Sequence, residues 1–392
     1  MTIGTIETIE TIGTIGTIET IATIIKERKN AMSHRILVIN PGSTSTKIAV
    51  YEGLSPVFES DIRHTPAELA RFGSVWEQEP FRLQVVEDEL SKHNISSKLD
   101  AVIGRGSIAR PVPSGCYEVT GSMIAESRSA KHVHVTDIAC ALARDIARRA
   151  DPPCPALTAD PGSVDELAPE AHITGLPEIR RDALWHALNQ KAVARRYASE
   201  HGTSYESINL IVCHLGGGIS IAAHDHGRAI DTNNALDGEG PFSTERAGSL
   251  PAADLVRLCF SGKYTERELM NLIAGNGGLM AYLGTNDMRE IERRINDGDS
   301  RARLLTDAMI WQTAKWIAAE GAVLRGKVDA IILTGGLAFS PYVVRGITGR
   351  VSFLAPVTVY PGQDEMLALA QNAEWALAHG ASPDPYQDKA EQ

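Results

Sequence analysis

The chain has 392 residues, of which 43% are hydrophobic, so it can bury a large core and is long enough for two domains. Its formal net charge of -11 and its pI of about 5.6 argue against binding to nucleic acid or to an anionic membrane. No long apolar run appears and the 5 cysteines are scattered without a C-x-x-C spacing, so we expect a cytoplasmic protein without membrane spans, disulfides or zinc.

Residues 1–24 repeat a tripeptide in which isoleucine occupies every third position. This period fits neither common element, because the isoleucines would spiral around a helix and would alternate between the faces of a strand. We interpret residues 1–33 as a low-complexity, disordered N-terminal extension and exclude them from the fold.

The first folding unit is predicted to be a β-hairpin. Arg35–Asn40 and Lys47–Glu52 are short apolar runs, and the segment PGSTST between them is a turn rich in hydroxyl groups. Such a loop offers backbone N–H groups and hydroxyls to an anion.

Helical patterns follow and alternate with short strands. They are VVEDELSKH before the strand DAVIG, then DIACALARDIARRA, RRDALWHALNQKAVARRYA and, later, LLTDAMIWQTAKWIAAEGAVL. Strands that alternate with helices predict an α/β fold.

The hairpin pattern returns in the second half of the chain. Ile208–Leu215 leads into the triple-glycine turn Gly216–Gly218, ISIAAHD follows, and a further turn is expected at His226 and Gly227. Glycine lets the backbone approach a bound group closely or adopt a positive φ, and successive N–H groups form an anion nest. The repeated hairpin predicts two phosphate-binding loops and two related halves around one cleft.

A third glycine turn ends a buried strand. The segment Asp329–Ser340 reads as a strand that ends at Gly335 and Gly336, with a helix beyond it. The edge of a sheet at such a turn is suited to a nucleotide.

Seven motifs occur in an order that resembles the acetate and butyrate kinase family, and more closely its butyrate kinase branch. They are VINPGSTSTK, VIGRG, LWHALNQKAVARRYA, HLGGGISIA, DTNNALDGEGPFSTERAG, LTGGLA and PGQDEM. The resemblance implies the fold of the acetate and sugar kinase, Hsp70 and actin superfamily, in which two ribonuclease-H-like domains flank a nucleotide cleft. It places domain I at residues 34–165 with 366–392, and domain II at residues 166–365.

The resemblance also implies a reaction, in which ATP and a short-chain fatty acid give an acyl phosphate and ADP. The cofactors would be ATP/ADP and Mg²⁺, the substrate a short-chain carboxylate, and the protein a homodimer or higher homo-oligomer. The alternatives are an acetate, propionate or branched-chain fatty acid kinase and, more distantly, a non-catalytic actin-like ATP-binding protein. Only a kinase has reason to keep the catalytic side chains.

By similarity to the family, the catalytic residues are Arg105, His186, Arg246, Asp160 and His134. The guanidinium groups would bind carboxylate or phosphoryl oxygens, since their planar fork suits both. His186 is expected within a helix and would donate to the transferring phosphoryl group. Two assignments have competitors in the sequence: His132 for His134, and Asp165 for Asp160.

The remaining candidates concern the nucleotide and the metal. The resemblance assigns the phosphates and the adenosine to Asn40, Ser43, Ser45, Lys47, His214, Gly216, Gly217, Gly218, Gly335 and Gly336. Asn40 with Glu365, or its neighbour Asp364, would hold Mg²⁺ through water, because this ion keeps several waters and takes few protein carboxylates.

Overall fold

The computed structural model describes residues 33–106, 109–130 and 133–385. The extension predicted at residues 1–33 therefore lies, except for Ser33, outside the described residues. The described part is built on two β-sheets covered by helices, which confirms the predicted α/β class.

The first sheet has 6 strands among the described residues. They are Arg35–Pro41 (β1), Ser45–Glu52 (β2), Ser55–Arg63 (β3), Ala101–Gly104 (β4), Cys116–Glu118 (β5) and Ala156–Ala159 (β6). Their order across the sheet is β3-β2-β1-β4-β6-β5. Strand β1 is antiparallel to β2 and parallel to β4, so the carboxyl ends of β1 and β4 meet at one edge.

The second sheet has 5 strands in the described part of the chain. They are Asn209–Leu215 (β7), Ile219–Asp225 (β8), Arg228–Thr232 (β9), Ala330–Gly335 (β10) and Val357–Pro361 (β11), in the order β11-β10-β7-β8-β9. In both sheets an antiparallel run of three strands is continued by parallel strands. This repetition confirms the prediction of two related halves.

Helices cover the sheets and fill the connections. Those in the described residues are Pro66–Leu69 (α1), Glu79–Lys92 (α2), Gly121–Arg128 (α3), Ile138–Arg149 (α4), Ala187–Glu200 (α5), Ala252–Cys259 (α6), Glu266–Ile273 (α7), Gly278–Leu283 (α8), Met288–Asn296 (α9), Ser300–Val323 (α10), Pro341–Val351 (α11) and Glu365–His379 (α12). None of these helices has the length and apolar character needed to cross a membrane.

The central strands are buried because helices cover both faces of each sheet. Residues 36–39 of β1 have no exposed surface. Alternate side chains of this run face opposite sides, so Ile36 and Val38 pack towards α12 while Leu37 and Ile39 pack towards α4. A continuous apolar run is what a parallel strand buried on both faces requires.

Helix α5 contacts both sheets. Leu188 at its start belongs to the apolar cluster formed by β1, β6 and α12, whereas Val193 and Ala194 pack against Leu210 of β7. The helix therefore fixes the segment before it, residues 181–186, close to the edges of both sheets.

The strands of the first sheet lie within residues 34–165, and those of the second within residues 166–365. Helix α12 begins at Glu365 and packs on the first sheet, far along the chain from its strands. The domain boundaries themselves remain a prediction.

Both predicted hairpins are present, β1 with β2 and β7 with β8. The turn at His226 and Gly227 is also present, with φ of 47° and 87°. Strand β10 ends at Gly335, whose φ is 89°, and helix α11 follows. The predicted helical segments correspond to α2, α4, α5 and α10.

The prediction that His186 lies within a helix was wrong. Helix α5 begins at Ala187, so His186 is the residue that precedes it. The backbone N–H of Trp185 donates to Gly162 and its indole N–H donates to Val164, which holds this segment against a loop instead of in a helical turn. His186 is thereby placed at the start of α5, where a side chain can turn into a cleft.

Candidate active site

A cavity of about 180 Å³ lies where the ends of β4 and β6 meet the start of α5. The sequence-derived candidates that line it are Arg105, His134, Asp160, His186 and Glu365. Apolar side chains complete the wall, among them Pro161, Leu184 and Leu236. Charged groups beside an apolar surface are suited to a small anion with an alkyl part.

Arg105 follows β4, Asn40 lies near the end of the neighbouring parallel strand β1, and both contact Glu365. Nη2 of Arg105 lies 2.9 Å from Oε1 of Glu365, and Nδ2 of Asn40 donates to Oε2 at 3.0 Å. Glu365 is only 5% exposed. Because α12 packs beneath these strands, its first residue brings a carboxylate to the edge from which the arginine and the asparagine extend.

Asp160 follows β6 and is held rigidly. Its Oδ1 accepts from the hydroxyl of Ser114 at 2.5 Å and from the backbone N–H of Gly115 at 3.0 Å, and its Oδ2 accepts from Arg195 at 3.3 Å. Its φ of 39° is unusual for a residue other than glycine. The competitor Asp165 instead pairs with His172. Of the two aspartates, Asp160 is the one in the cavity wall.

His186 and His214 form a stacked pair, with ring centroids 3.7 Å apart and planes 8° apart. Nδ1 of His186 lies 2.8 Å from the hydroxyl oxygen of Ser220. Burial, and next the His214 ring, lower the pKa of His186 well below 6.5. The charges of Arg246 and Arg105 lower it further. The imidazole is therefore neutral at pH 7.

The ring of His214 stacks on one face of the His186 ring and is itself held by two amide side chains. Its Nδ1 lies 2.7 Å from Oδ1 of Asn189, and its Nε2 lies 3.0 Å from Nε2 of Gln363. Burial is the main cause that lowers its pKa to about 3. Both ring nitrogens of His214 contact amide groups, and the residue is 1% exposed. The phosphate contact expected from the sequence stays a prediction.

Arg246 lies beside the cavity, although it is not part of the wall. Its Nη1 donates to the carbonyl oxygen of Ala235, the neighbour of the wall residue Leu236. Its charge lowers the pKa of His186 and of His134, as does the charge of Arg105. Two arginines that are far apart in the sequence therefore act on the same imidazoles.

His134 projects into the cavity from the loop before α4. Its Nδ1 accepts from the backbone N–H of Thr136 at 3.3 Å, so the neutral ring carries its proton on Nε2. Desolvation by the surrounding protein is the largest cause that lowers the pKa of His134, and the charges of Arg105 and Arg246 add to this effect. The competing His132 lies outside the described residues.

The triple-glycine turn is needed for close approach and not for positive φ, since Gly216–Gly218 are absent from the residues with positive φ in the described chain. A Cβ at Gly217 would lie 2.8 Å from Oε2 of Glu245, and one at Gly218 would lie 2.6 Å from Cζ of Arg246. In the third turn, a Cβ at Gly335 would meet the backbone of Leu215, whereas Gly336 faces open space.

The first hairpin loop leaves Ser43 and Lys47 exposed and Ser45 half-buried. Lys47 is the cross-strand partner of Asn40, so the two lie side by side at the mouth of the loop. Arg82, which has no exposed surface, donates to the carbonyl oxygens of Ser43 and Ser45. This buried arginine, which the sequence did not single out, holds the loop from behind.

The oxygen groups of the cavity fit a magnesium site. The part of the chain that the structure describes contains no cluster of three His, Cys, Asp or Glu residues placed to hold a metal. Magnesium needs no such cluster, because it binds through one or two carboxylates, waters and substrate phosphates. The side chains of Asn40 and Glu365, joined by the 3.0 Å hydrogen bond from Nδ2 to Oε2, carry hard oxygen atoms of this kind. Asp364 instead lines a separate cavity between α5 and α12.

The sequence motifs contained further site residues to which no role was assigned. Asn189, Gln190, Ser220 and Gln363 form hydrogen bonds with His186 or His214, or with a residue that does. The sequence signal for such residues is a polar side chain inside an otherwise apolar strand or at the start of a helix. The hydrogen-bond partner of each side chain could not be identified without the fold.

The structure resembles the crystal structure of acetate kinase from Porphyromonas gingivalis. The TM-score is 0.71, and the match covers 88% of this chain and 100% of that chain at 21% identity. At this level of identity the likeness concerns the fold alone, and it confirms the two-domain fold expected from the motifs.

Sequence comparison places the chain in one family. A model described as the acetokinase family matches residues 173–354. Over 343 residues the chain is 52% identical to a probable butyrate kinase of Bacteroides thetaiotaomicron, covering 88% of this chain and 97% of the relative. Over 340 residues it is 46% identical to butyrate kinase 1 of Clostridium acetobutylicum, covering 86% and 95%. The arrangement of arginines, histidines and carboxylates around the cavity thus occurs in a chain that belongs to the acetokinase family.

Proposed function

We propose that the protein transfers the γ-phosphoryl group of ATP to the carboxylate of a short-chain fatty acid, with butyrate as the substrate, to give butyryl phosphate and ADP reversibly. The relatives named as butyrate kinases, of which this chain covers almost the whole length, support the choice of substrate. The transfer is direct and in-line, without a phosphorylated enzyme intermediate.

One observation carries the proposal: Arg105, His186 and Arg246 act on a common cavity. Arg105 and His186 line it, and the charges of both arginines lower the pKa of His186. A surface that merely binds a nucleotide has no need of two guanidinium groups beside an imidazole. A reaction between two anions does need them.

The chemistry explains this residue set. A fatty acid has a pKa of roughly 4 to 5, like a carboxylic side chain, so it is ionised at pH 7 and attacks without a general base. The difficulty lies in bringing two anions together and in stabilising the charge on the equatorial oxygens of the transferring group. Arg105 would bind the carboxylate, and Arg246 and His186 would donate to the phosphoryl oxygens.

The nucleotide and a divalent cation complete the site. Ser43, Ser45 and Lys47 of the first loop and Gly216–Gly218 of the second would hold the phosphates. The turn at Gly335 and Gly336, which is open at Gly336, would face the adenosine. We propose Mg²⁺ as the cation, held through water by Asn40 and Glu365. When bound, it neutralises charge on the phosphates.

The apolar part of the wall supports a substrate with an alkyl chain. Pro161, Leu184 and Leu236 lie in the same cavity as Arg105. Each methylene that fits such a wall contributes about 1 to 3 kcal/mol to discrimination between substrates. Butyrate is therefore expected to react faster than acetate at equal, subsaturating concentration.

We also propose that the protein works in the cytoplasm as a homodimer or higher homo-oligomer. All five cysteines are free thiols, which suits a reducing compartment. The oligomer is proposed from the family resemblance, and sedimentation of the purified protein measures it.

Hydroxylamine trapping tests the function. Acyl phosphates react with hydroxylamine to give hydroxamates, which form a coloured complex with ferric iron. Purified protein with Mg-ATP should form hydroxamates from acids between acetate and hexanoate. Initial rates along this series should be highest near butyrate. Absence of hydroxamate with every acid, while the protein still binds ATP, would leave a non-catalytic ATP-binding protein instead.

A further inference from the structure

A series of buried polar side chains leads away from His186 into the second sheet. It runs through Ser220, Gln190 and His224 to Tyr205. The first three of these have no exposed surface, and Tyr205 is 4% exposed. Since buried polar groups must be paired, the donor and the acceptor of each contact can be assigned.

The hydroxyl of Ser220 determines the protonation of the imidazole. Its oxygen receives the side-chain N–H of Gln190 at 2.8 Å and the backbone N–H of His186 at 3.4 Å. These donors occupy the two lone pairs of the hydroxyl. Its one proton must then be donated to Nδ1 of His186, at 2.8 Å. Nδ1 therefore carries no proton, and the neutral ring carries its proton on Nε2.

The amide of Gln190 is oriented by groups that leave no alternative. Its Nε2 lies 3.1 Å from the backbone carbonyl oxygen of Ser220, which can only accept. Its Oε1 consequently accepts from Nε2 of His224 at 3.1 Å. Nδ1 of His224 then accepts from the hydroxyl of Tyr205 at 2.6 Å. Every hydrogen bond in the series is donated in the direction of His186.

We propose that Ser220 and Gln190 are positioning residues that hold His186 as the neutral tautomer with its proton on Nε2, so that this N–H donates to the transferring phosphoryl group. The inference rests on the function proposed above for His186. In the other tautomer Nε2 would present a lone pair to the phosphoryl oxygens and repel them.

Burial supports the neutral state of the series. It is the largest cause that lowers the pKa of His186 and of His224 well below their usual range. A neutral imidazole donates one hydrogen bond through a fixed nitrogen, and the neighbouring hydroxyl selects which nitrogen.

Nitrogen NMR of the unmodified protein tests the tautomer directly. With histidine labelled by ¹⁵N, the signals of His186 are identified as those missing from a His186→Asn variant. We expect Nδ1 at the shift of an unprotonated nitrogen and Nε2 at that of a protonated nitrogen. The reverse pattern, or a cationic ring at pH 7, would overturn the proposal. No substrate is needed, so the result does not depend on whether the protein phosphorylates butyrate.

Kinetics of Ser220→Ala and Gln190→Met test the consequence. Each change should lower kcat roughly 10-fold or more while KM for ATP and butyrate changes little, because the lost interaction acts on the transition state. In Ser220→Ala the His186 nitrogen shifts should move towards a mixture of tautomers. If either variant does not fold, the nitrogen shifts of His186 in the unmodified protein decide whether the proposed tautomer is present.

The matched control is Thr232→Val on the adjacent strand β9. Thr232 is 2% exposed and donates to the carbonyl oxygen of Ile221 at 3.1 Å, so its loss also removes a buried hydroxyl. We expect this control to lower the melting temperature but to leave kcat and the His186 signals unchanged. A kcat loss in Ser220→Ala no greater than that in Thr232→Val would contradict the positioning role.

Discussion

The two arginines of the site have different surroundings. Arg105 forms an ion pair with Glu365, whereas Arg246 donates to the uncharged carbonyl of Ala235. Burial is the largest cause that lowers the pKa of Arg246, and the charges of Glu245 and Asp237 act in the opposite direction. The guanidinium group stays protonated. Its hydrogen-bond acceptor, the carbonyl of Ala235, is uncharged, so the positive charge of Arg246 can also attract an anion that enters the cavity.

Replacing Arg246 by lysine should therefore remove turnover without removing the nucleotide. We expect kcat to fall by on the order of 10²-fold, because one ammonium group cannot reproduce the planar fork of donors. The dissociation constant of ATP, measured by calorimetry, should change little. Arg289→Lys, on a side chain that is 91% exposed, is the control. Unchanged kcat in the Arg246 variant would remove this residue from the site.

Gly218, which has no side chain, leaves the space that the guanidinium group of Arg246 occupies. A Cβ at this position would lie 2.6 Å from Cζ of Arg246, and a flexible guanidinium can yield where backbone cannot. Gly218→Ala should thus fold normally but lower kcat roughly 10-fold or more by displacing a transition-state donor. Gly349→Ala, where a Cβ meets open space in α11, should leave kcat unchanged. Equal kcat in the two variants would contradict the proposed contact.

The buried neutral His214 should make stability depend on pH. Its pKa is lowered to about 3, so between about pH 6.5 and that value the unfolded chain binds a proton that the folded chain does not. The free energy of unfolding should therefore fall as the pH falls below 6.5, by up to about 1.4 kcal/mol per pH unit from this residue.

Urea unfolding at several pH values measures the effect as a difference from His214→Asn. Carboxyl groups whose pKa is raised by burial, such as Glu320, act in the opposite direction in both proteins and cancel. The stability advantage of the unmodified protein should shrink between pH 7 and pH 5. A constant difference would show that His214 is not held neutral.

At the scale of secondary structure, the starts of two helices position the site. His186 precedes α5 and Glu365 opens α12. His186 was expected within a helix because the apolar residues Leu184, Leu188 and Ala192 are four positions apart, a spacing that predicts one continuous helix. Contacts of Trp185 with a distant loop set the true start, and local periodicity carries no information about such contacts.

The start of helix α12 also distinguishes the two candidate metal ligands, Glu365 and Asp364. Glu365 contacts Asn40 and Arg105, whereas Asp364, one residue earlier, faces a different cavity. Glu365→Gln should therefore raise the Mg²⁺ concentration needed for half-maximal rate by about 10-fold or more, since the orienting carboxylate charge is lost. Asp364→Asn should leave the magnesium titration unchanged. The opposite result would reassign the ligand to Asp364.

The hairpins were readable from the sequence because their causes are local. Apolar runs on either side of glycine and hydroxyl turns specify an antiparallel pair whatever the rest of the chain does. The role of the glycines was only partly readable. Gly217 and Gly218 are needed because Glu245 and Arg246 lie against them, and neither neighbour is close in sequence.

At the scale of the whole molecule, the site depends on contacts between distant parts of the chain. Arg105, in the first half, pairs with Glu365 near the end, and both act beside His186 at the start of α5. Composition and periodicity could not reveal this arrangement. The order of the motifs indicated it through the resemblance to a family. In the described fold, five of the candidate residues line one cavity: Arg105, His134, Asp160, His186 and Glu365.

The convergence of Arg105, His186 and Arg246 on a transferring phosphoryl group is the central claim. The affinity of the protein for MgADP, aluminium fluoride and butyrate together, measured by calorimetry, tests it most directly, because this combination mimics a planar phosphoryl group between two anions. We predict binding at least about 10²-fold tighter than with MgADP and butyrate alone, lost in Arg105→Ala, His186→Asn and Arg246→Ala while MgATP still binds. Equal affinity for the mimic in the unmodified protein and in all three variants would contradict the claim.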